Sequence, residues 1–189
     1  MRRIEFEKVT TRGGDDGRSS LFSGQRRFKD DVVFWALGDL DELISVLGVV
    51  RRAIHSRDSV HREGRHIEQV QRTLMTVCAV LATVPSSGEF TRIRKISERD
   101  VGKLERREKA LLDDTDIAGE FIVPGAHPES IPEIDIARAV ARRCERRIVT
   151  LIRSEGRPDV EARVCQHYVN RLSDYLFVLA RYCEQRQHS

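Results

Sequence analysis

The sequence predicts an all-α fold: an antiparallel five-helix bundle with a long N-terminal loop. Three observations carry this. Apolar residues recur at helical spacing over five stretches. Capping, Pro or Gly signals bound most of those stretches. No alternating strand pattern of any length appears between them.

Residues 10–31 hold four of the twelve glycines, many hydroxyls and little apolar periodicity, which predicts a loop. The first helix is expected over Val32 to about Arg52, with Phe34, Leu37, Leu40, Leu43, Ile44, Leu47 and Val50 on its apolar side. The second runs from about Gly64 to Val84 and stops at Pro85-Ser-Ser-Gly88. Ser97 reads as the N-cap of the third, with Asp100 as the acid of a capping box, and this helix ends near Asp113. A second loop follows, in which Phe121–Val123 is flanked by Pro and Gly and reads as ordered loop. The fourth helix spans about Pro132 to Ser154, with Pro132 in the first turn where its missing N–H costs nothing. The fifth runs from about Pro158 to Gln185.

The 189 residues make one domain, 1–189, with 1–31 as an N-terminal loop and 32–189 as the bundle. Hydrophobic residues at 40% and charged residues at 33% exclude disordered and collagen-like classes. No apolar run approaches the roughly 20 residues of a membrane span, and the start lacks the apolar core of a signal peptide. Cys78, Cys144, Cys165 and Cys183 are far apart, which points to a reduced, cytoplasmic chain without a zinc knuckle. The net charge of +3 is too small for a nucleic-acid coat. Of the 33 basic residues five are Lys, leaving 28 Arg, the side chain whose planar fork suits phosphate and carboxylate.

The fourth helix is the most informative segment. Arg138, Arg142 and Arg146 fall at i, i+4, i+8 on one stripe, with Arg143 and Arg147 beside them. Such a stripe repels itself, so it reads either as a solvated face or as a clamp for a polyphosphate. Gly13, Gly14 and Gly17, with Thr11, Ser19, Ser20, Arg12 and Lys29, read either as a mobile linker or as an anion-binding nest. The nest is not a P-loop, since G-x-x-x-x-G-K-[ST] is not matched. Asn170 and Asp174 either accept from arginines of the fourth helix or fix helix register. Asp39, Asp41 and Glu42 are read chiefly as partners of the first helix's dipole, with one able to reach an arginine of the fourth helix. Trp35 reads as core or interface packing, and the histidines show no ligand spacing.

In order along the chain, TTRGGDDGRSSLFSG, RRFKDD, GDLDEL, FIVPG, IARAVARRCERRIV and YVNRLSDYLFVLARY resemble the PduO-type ATP:cob(I)alamin adenosyltransferases. The resemblance covers nearly the whole chain. It implies a homotrimer with sites between adjacent subunits. It also implies transfer of the 5′-deoxyadenosyl group of ATP, with Mg²⁺, to the cobalt of reduced cobalamin, leaving triphosphate. Residue by residue, it implies that Thr11, Arg12, Gly13, Gly14, Ser19, Ser20 and Lys29 wrap the phosphates. Arg142, Arg143, Cys144, Glu145, Arg146 and Asn170 would surround the nucleotide. Asp41 and Arg138 would form a carboxylate–guanidinium pair linking subunits beside the corrinoid, and Phe121 would cover the lower face of the cobalt. A reductase and an adenosylcobalamin-dependent enzyme are the implied partners. The chain departs from the family pattern at Gly13 (for Thr), Ile44 (for Asn) and Ala126 (for Gly). It also has a longer stretch between the last two helices and a short C-terminal segment to cover the corrinoid. The alternative function is a non-catalytic ATP or adenosylcobalamin chaperone or sensor of the same fold. A third is a structural bundle whose arginine stripe meets an acidic protein.

Overall fold

The computed structural model describes residues 3–117, 119–157 and 159–186. The chain is mostly helical: α1 Phe6–Val9, α2 Val32–His55, α3 His61–Leu81, α4 Gly88–Arg92, α5 Glu98–Leu112, α6 Pro132–Ser154 and α7 Val160–Glu184. A two-stranded antiparallel sheet, β1 Arg18–Ser20 and β2 Arg26–Phe28, precedes α2. The α2 helix packs on α3 and α6, α6 on α7, and α7 on α5, with a lighter contact between α3 and α7. The expected start of the last helix at Pro158 lies outside the described residues.

Local chemistry sets most boundaries. Asp31 caps α2 by accepting from Val33 N at 3.0 Å, and Asp159 caps α7 by accepting from Ala162 N at 3.0 Å. At α5 the Asp100 carboxylate accepts from Ser97 N at 3.1 Å and from its hydroxyl at 3.0 Å. Pro132 opens α6. The apolar stripes face one another: Leu40, Leu43, Leu47 and Ile54 from α2, Ile67 and Leu74 from α3, Ile134, Ile148 and Leu151 from α6, and Leu172, Tyr175 and Leu176 from α7 are fully buried. Burying such side chains contributes about 1.5–3 kcal/mol each before entropy is counted.

Three expectations need correction. Residues 10–31 are not all loop, since they contain the hairpin, paired Arg18 with Phe28, Ser19 with Arg27 and Ser20 with Arg26. Strands of three residues are too short to show alternation. Their register comes from the turn, where Gly24 takes φ +82° and its N–H donates to Leu21 O at 2.9 Å. The hairpin is anchored by buried Leu21 and by Phe22 N donating to Ala82 O at 2.9 Å, just past α3. The first long helix continues to His55, and the second starts at His61 and stops at Leu81. Finally, Trp35 is not core within the chain. It is half-exposed, donates from Nε1 to Asp30 O at 3.1 Å and carries the Arg147 guanidinium 5.0 Å from its ring.

Candidate active site

The arginines of α6 divide into two sets. Arg143 lies 3.4 Å from Asp39 and is paired with Glu42, and Arg147 also reaches Asp39 at 3.4 Å. These pairs bind α6 to α2. They overturn the helix-dipole reading of Asp39 and Glu42, which sit in the second and third turns of α2, beyond the first-turn reach of the dipole. Arg142 and Arg146 are exposed, and no carboxylate among the described residues lies within 4 Å of either. Arg138, on the same stripe, lies 3.5 Å from Asp135. The helix therefore presents neutralised arginines to α2 and unpaired ones to the outside.

Asn170 of α7 donates to Glu145 of α6 at 2.6 Å. The expected bond from an arginine of α6 to Asn170 or Asp174 is not made. Asp174 instead accepts from Arg171 of its own helix at 2.7 Å. Cys144 lies in the sequence between these polar groups, but its side chain points the other way. The thiol is buried and donates to Asp39 O at 3.0 Å, and burial pushes its pKa up to about 12.

The N-terminal segment is ordered by its own polar groups. Asp16 accepts from Arg18 N at 3.1 Å and, through both carboxylate oxygens, from Arg26 Nη2 at 2.9 Å, while Arg26 Nη1 donates to Gly13 O at 3.0 Å. The Arg18 backbone bond, helped by Arg26, holds the Asp16 carboxyl below its usual range. Lys29 donates from its backbone to Gly17 O at 2.9 Å. Its ammonium lies so close to Gly14 that a Cβ there would sit 2.9 Å from Nζ. Gly13 has open space, with only Thr11 Oγ1 3.5 Å from a notional Cβ. Arg12 takes φ +54°, which turns the backbone toward the Gly13–Gly14 pair. Thr11 and Ser20 are exposed and Ser19 is half-exposed. Among the described residues no hydrogen bond or ion pair joins Thr11–Lys29 to Arg138, Arg142 or Arg146.

Asp41 and Arg138 are not paired within the chain. Asp41 is exposed on α2, on the side where its charge helps raise Cys78 toward about 11, after burial. Phe121 is fully exposed on the irregular segment between α5 and α6, whose turn at Gly125 (φ +75°) presses against Pro132. Beside Arg138 and Arg142 lies a cleft of about 310 Å³, which also includes Glu108, Ser173, Asp174 and Phe177. Burial, then the Asp174 charge, raises the Glu108 pKa. Glu108 escaped sequence reasoning, although it left a signal: it fills an apolar slot in the 101–104–108–111 stripe of α5. Asp135 was also missed. It is buried, accepts from the buried Arg181 at 2.9 Å and stands beside Arg138, so it links α7 to the arginine stripe.

The arrangement can hold a polyanion on guanidinium groups beside a partly apolar cleft. Residues 9–183 match the cobalamin adenosyltransferase family. A corrinoid adenosyltransferase of Mus musculus is 35% identical over 187 residues, covering 98% of this chain and 76% of its own length. One from Citrobacter freundii is 36% identical over 175 residues, covering 92% and 93%. A variant PduO-type ATP:corrinoid adenosyltransferase from Lactobacillus reuteri, complexed with cobalamin and ATP, superposes with a TM-score of 0.81 at 27% identity, covering 93% of each chain. The chain belongs to the cobalamin adenosyltransferase family.

Proposed function

We propose that the unpaired arginines of α6 receive the triphosphate of ATP while the N-terminal segment of an adjacent subunit wraps it. The activity is that of a corrinoid adenosyltransferase: the 5′-deoxyadenosyl group of ATP moves to the cobalt of a reduced corrinoid and triphosphate leaves. The observation that carries the residue assignment is the division of the stripe. Arg143 and Arg147 are spent on Asp39 and Glu42, and Arg142 and Arg146 remain free where a leaving group's charge can develop.

Attack at C5′ is made by the reduced cobalt of the substrate, so the chain needs no general base. Its work is placement, charge stabilisation and exclusion of water. Arg142 and Arg146 meet the phosphates, and Lys29, held at Gly14, and the Gly13–Gly14 backbone meet them from the other side. Asn170 fixes Glu145 so that its carboxylate does not swing onto Arg142 or Arg146. Glu145 is the oxygen donor on that face that would hold Mg²⁺ carried by the nucleotide, where the ion would offset phosphate charge. The corrinoid, much larger than this cleft, lies across its mouth beside Glu108, Ser173 and Phe177, with the exposed Phe121 against its lower face.

The absence of contact between Thr11–Lys29 and the α6 stripe within one chain supports a site shared between subunits of a five-helix homotrimer. Asp41 and Arg138, unpaired with each other here, are then partners across that boundary. Four free cysteines and no helix, among the described residues, able to cross a membrane support a cytoplasmic setting. The test is anaerobic: reduced cobalamin, Mg-ATP and the protein, followed by absorbance to adenosylcobalamin. Conversion lost in Arg142→Ala and kept in Arg153→Ala is expected. Equal conversion by both variants overturns the assignment, and ATP binding without conversion selects the chaperone reading.

A further inference from the structure

Away from α6, a cleft of about 450 Å³ opens between α3 and α5, with α7 as its floor. Arg72 and His66 line it from α3, Lys103 and Arg107 from α5, and Arg94 from the connection before α5. It shares His66 and Arg107 with an adjoining cavity of about 520 Å³, which adds Arg62, Arg65 and Ser59. The volume lies within the range of small-molecule pockets.

Two independent features point to an anion. The first is charge. Arg62, Arg65, Arg72, Arg94, Lys103 and Arg107 are set against three carboxylates: Glu63 on Arg107, Glu68 on Arg72 and Asp100 on Lys103. Arg94 is exposed and has no carboxylate within 4 Å among the described residues. The second is an orphaned donor. Tyr175 is fully buried in the cleft floor, and its hydroxyl has no hydrogen-bond partner among the described residues. Arg107 lines the same cleft as Tyr175. In the adjoining cavity the Ser59 hydroxyl is likewise buried and unpartnered. A buried hydroxyl without a partner is destabilising, so its retention needs a gain when something fills the cleft. Guanidinium forks and a hydroxyl converging from different walls suit a tetrahedral anion with several acceptor oxygens better than a planar carboxylate.

We propose that this cleft is a second anion site, separate from the α6 face, which takes a small phosphate monoester with its phosphate on Arg94, the Nη1 edge of Arg107 that Glu63 leaves free, and the Tyr175 hydroxyl. The 450 Å³ leaves room for a sugar-sized body beyond the phosphate.

Titration calorimetry and thermal shift of the full chain test this with two probes, ribose 5-phosphate and inorganic phosphate. One saturable site per chain is expected, at least tenfold tighter for ribose 5-phosphate. Arg142→Ala leaves it unchanged, and Arg94→Ala and Tyr175→Phe each weaken it about tenfold. Tyr175→Phe also keeps or raises the Tm of the anion-free protein while shrinking the Tm gain from the anion. A tyrosine that only packs would leave that gain intact. No saturable binding up to millimolar concentrations overturns the proposal, as does binding lost in Arg142→Ala but kept in Arg94→Ala. Equal affinity for the two probes overturns the monoester assignment.

Discussion

Asn170 Nδ2 donates to Glu145 Oε1 at 2.6 Å, joining α7 to α6 one turn from Arg142 and next in sequence to Arg146. A carboxylate so close to two unpaired guanidinium groups would neutralise one of them if it were free to rotate. The amide holds it in place, so the stripe keeps its charge for the phosphates. Asn170→Ala should therefore raise the KM for ATP about tenfold, the equivalent of one charge-assisted hydrogen bond of about 1.4 kcal/mol. Steady-state kinetics at saturating corrinoid would show it. An unchanged KM would remove Asn170 from the nucleotide site.

Arg142 and Arg143 are neighbours with opposite assignments. Arg142→Ala should cut kcat/KM by about 10²–10³. It should leave Tm unchanged or slightly higher, because like-charge repulsion along the stripe falls. Arg143→Ala breaks the ties to Asp39 and Glu42 and should lower Tm by a few degrees. Paired melting curves and assays of the two variants check the division of the stripe.

The Gly13–Gly14 pair offers a test by enlargement. Gly13 has room for a side chain, and Gly14 does not, because its Cβ would press on Lys29 and on Arg18 O at 3.2 Å. Gly13→Thr should fold normally and lower the KM for ATP a few-fold through one added hydroxyl donor. Gly14→Ala should displace the Lys29 ammonium and raise that KM. Nucleotide titrations of the two variants should move in opposite directions.

Arg157 is buried and caps the end of α3, donating to Leu81 O at 3.0 Å and Val80 O at 3.4 Å while pairing with Asp159 at 3.0 Å. Arg157→Ala leaves two carbonyls and a partly buried carboxylate without their cation. A loss of about 3 kcal/mol is expected, read as a lower urea midpoint with an unchanged slope.

Acid should weaken the fold through His66. Burial, then the nearby Arg65, lowers its pKa below the ordinary 6.5. As pH falls through 6.5 the unfolded chain takes up this proton first. Stability therefore drops from there until pH passes the lower folded-state value. Urea unfolding between pH 8 and pH 5 should show that loss, and His66→Gln should make the slope shallower.

Much of the architecture was legible because it rests on local rules. The Asp100 capping box, Pro132 at the start of α6 and the apolar periods of all five long helices act within a few residues of chain. The hairpin was hidden because its register depends on a turn and on contacts with α3, neither of which leaves a period. Family motifs placed Arg142, Asn170 and Lys29. They did not show which arginines are spent, because the pairing of Arg143 and Arg147 with Asp39 is a matter of which side of α6 faces α2. Glu108 needed its apolar register to be noticed, and Tyr175 looked like any other core aromatic until its hydroxyl was found without a partner.

The ion pair between Arg27 of the hairpin and Glu155, at the end of α6, spans 128 residues of chain. During synthesis the hairpin leaves the ribosome long before this second anchor exists, the first being the bond to Ala82 O. At roughly 5–20 residues per second, about 6–25 s separate the two ends. The hairpin can therefore dock beside α3 early, and its tie to α6 closes only once the α6–α7 connection has emerged. The last contact of the N-terminal segment is thus timed by the far end of the chain.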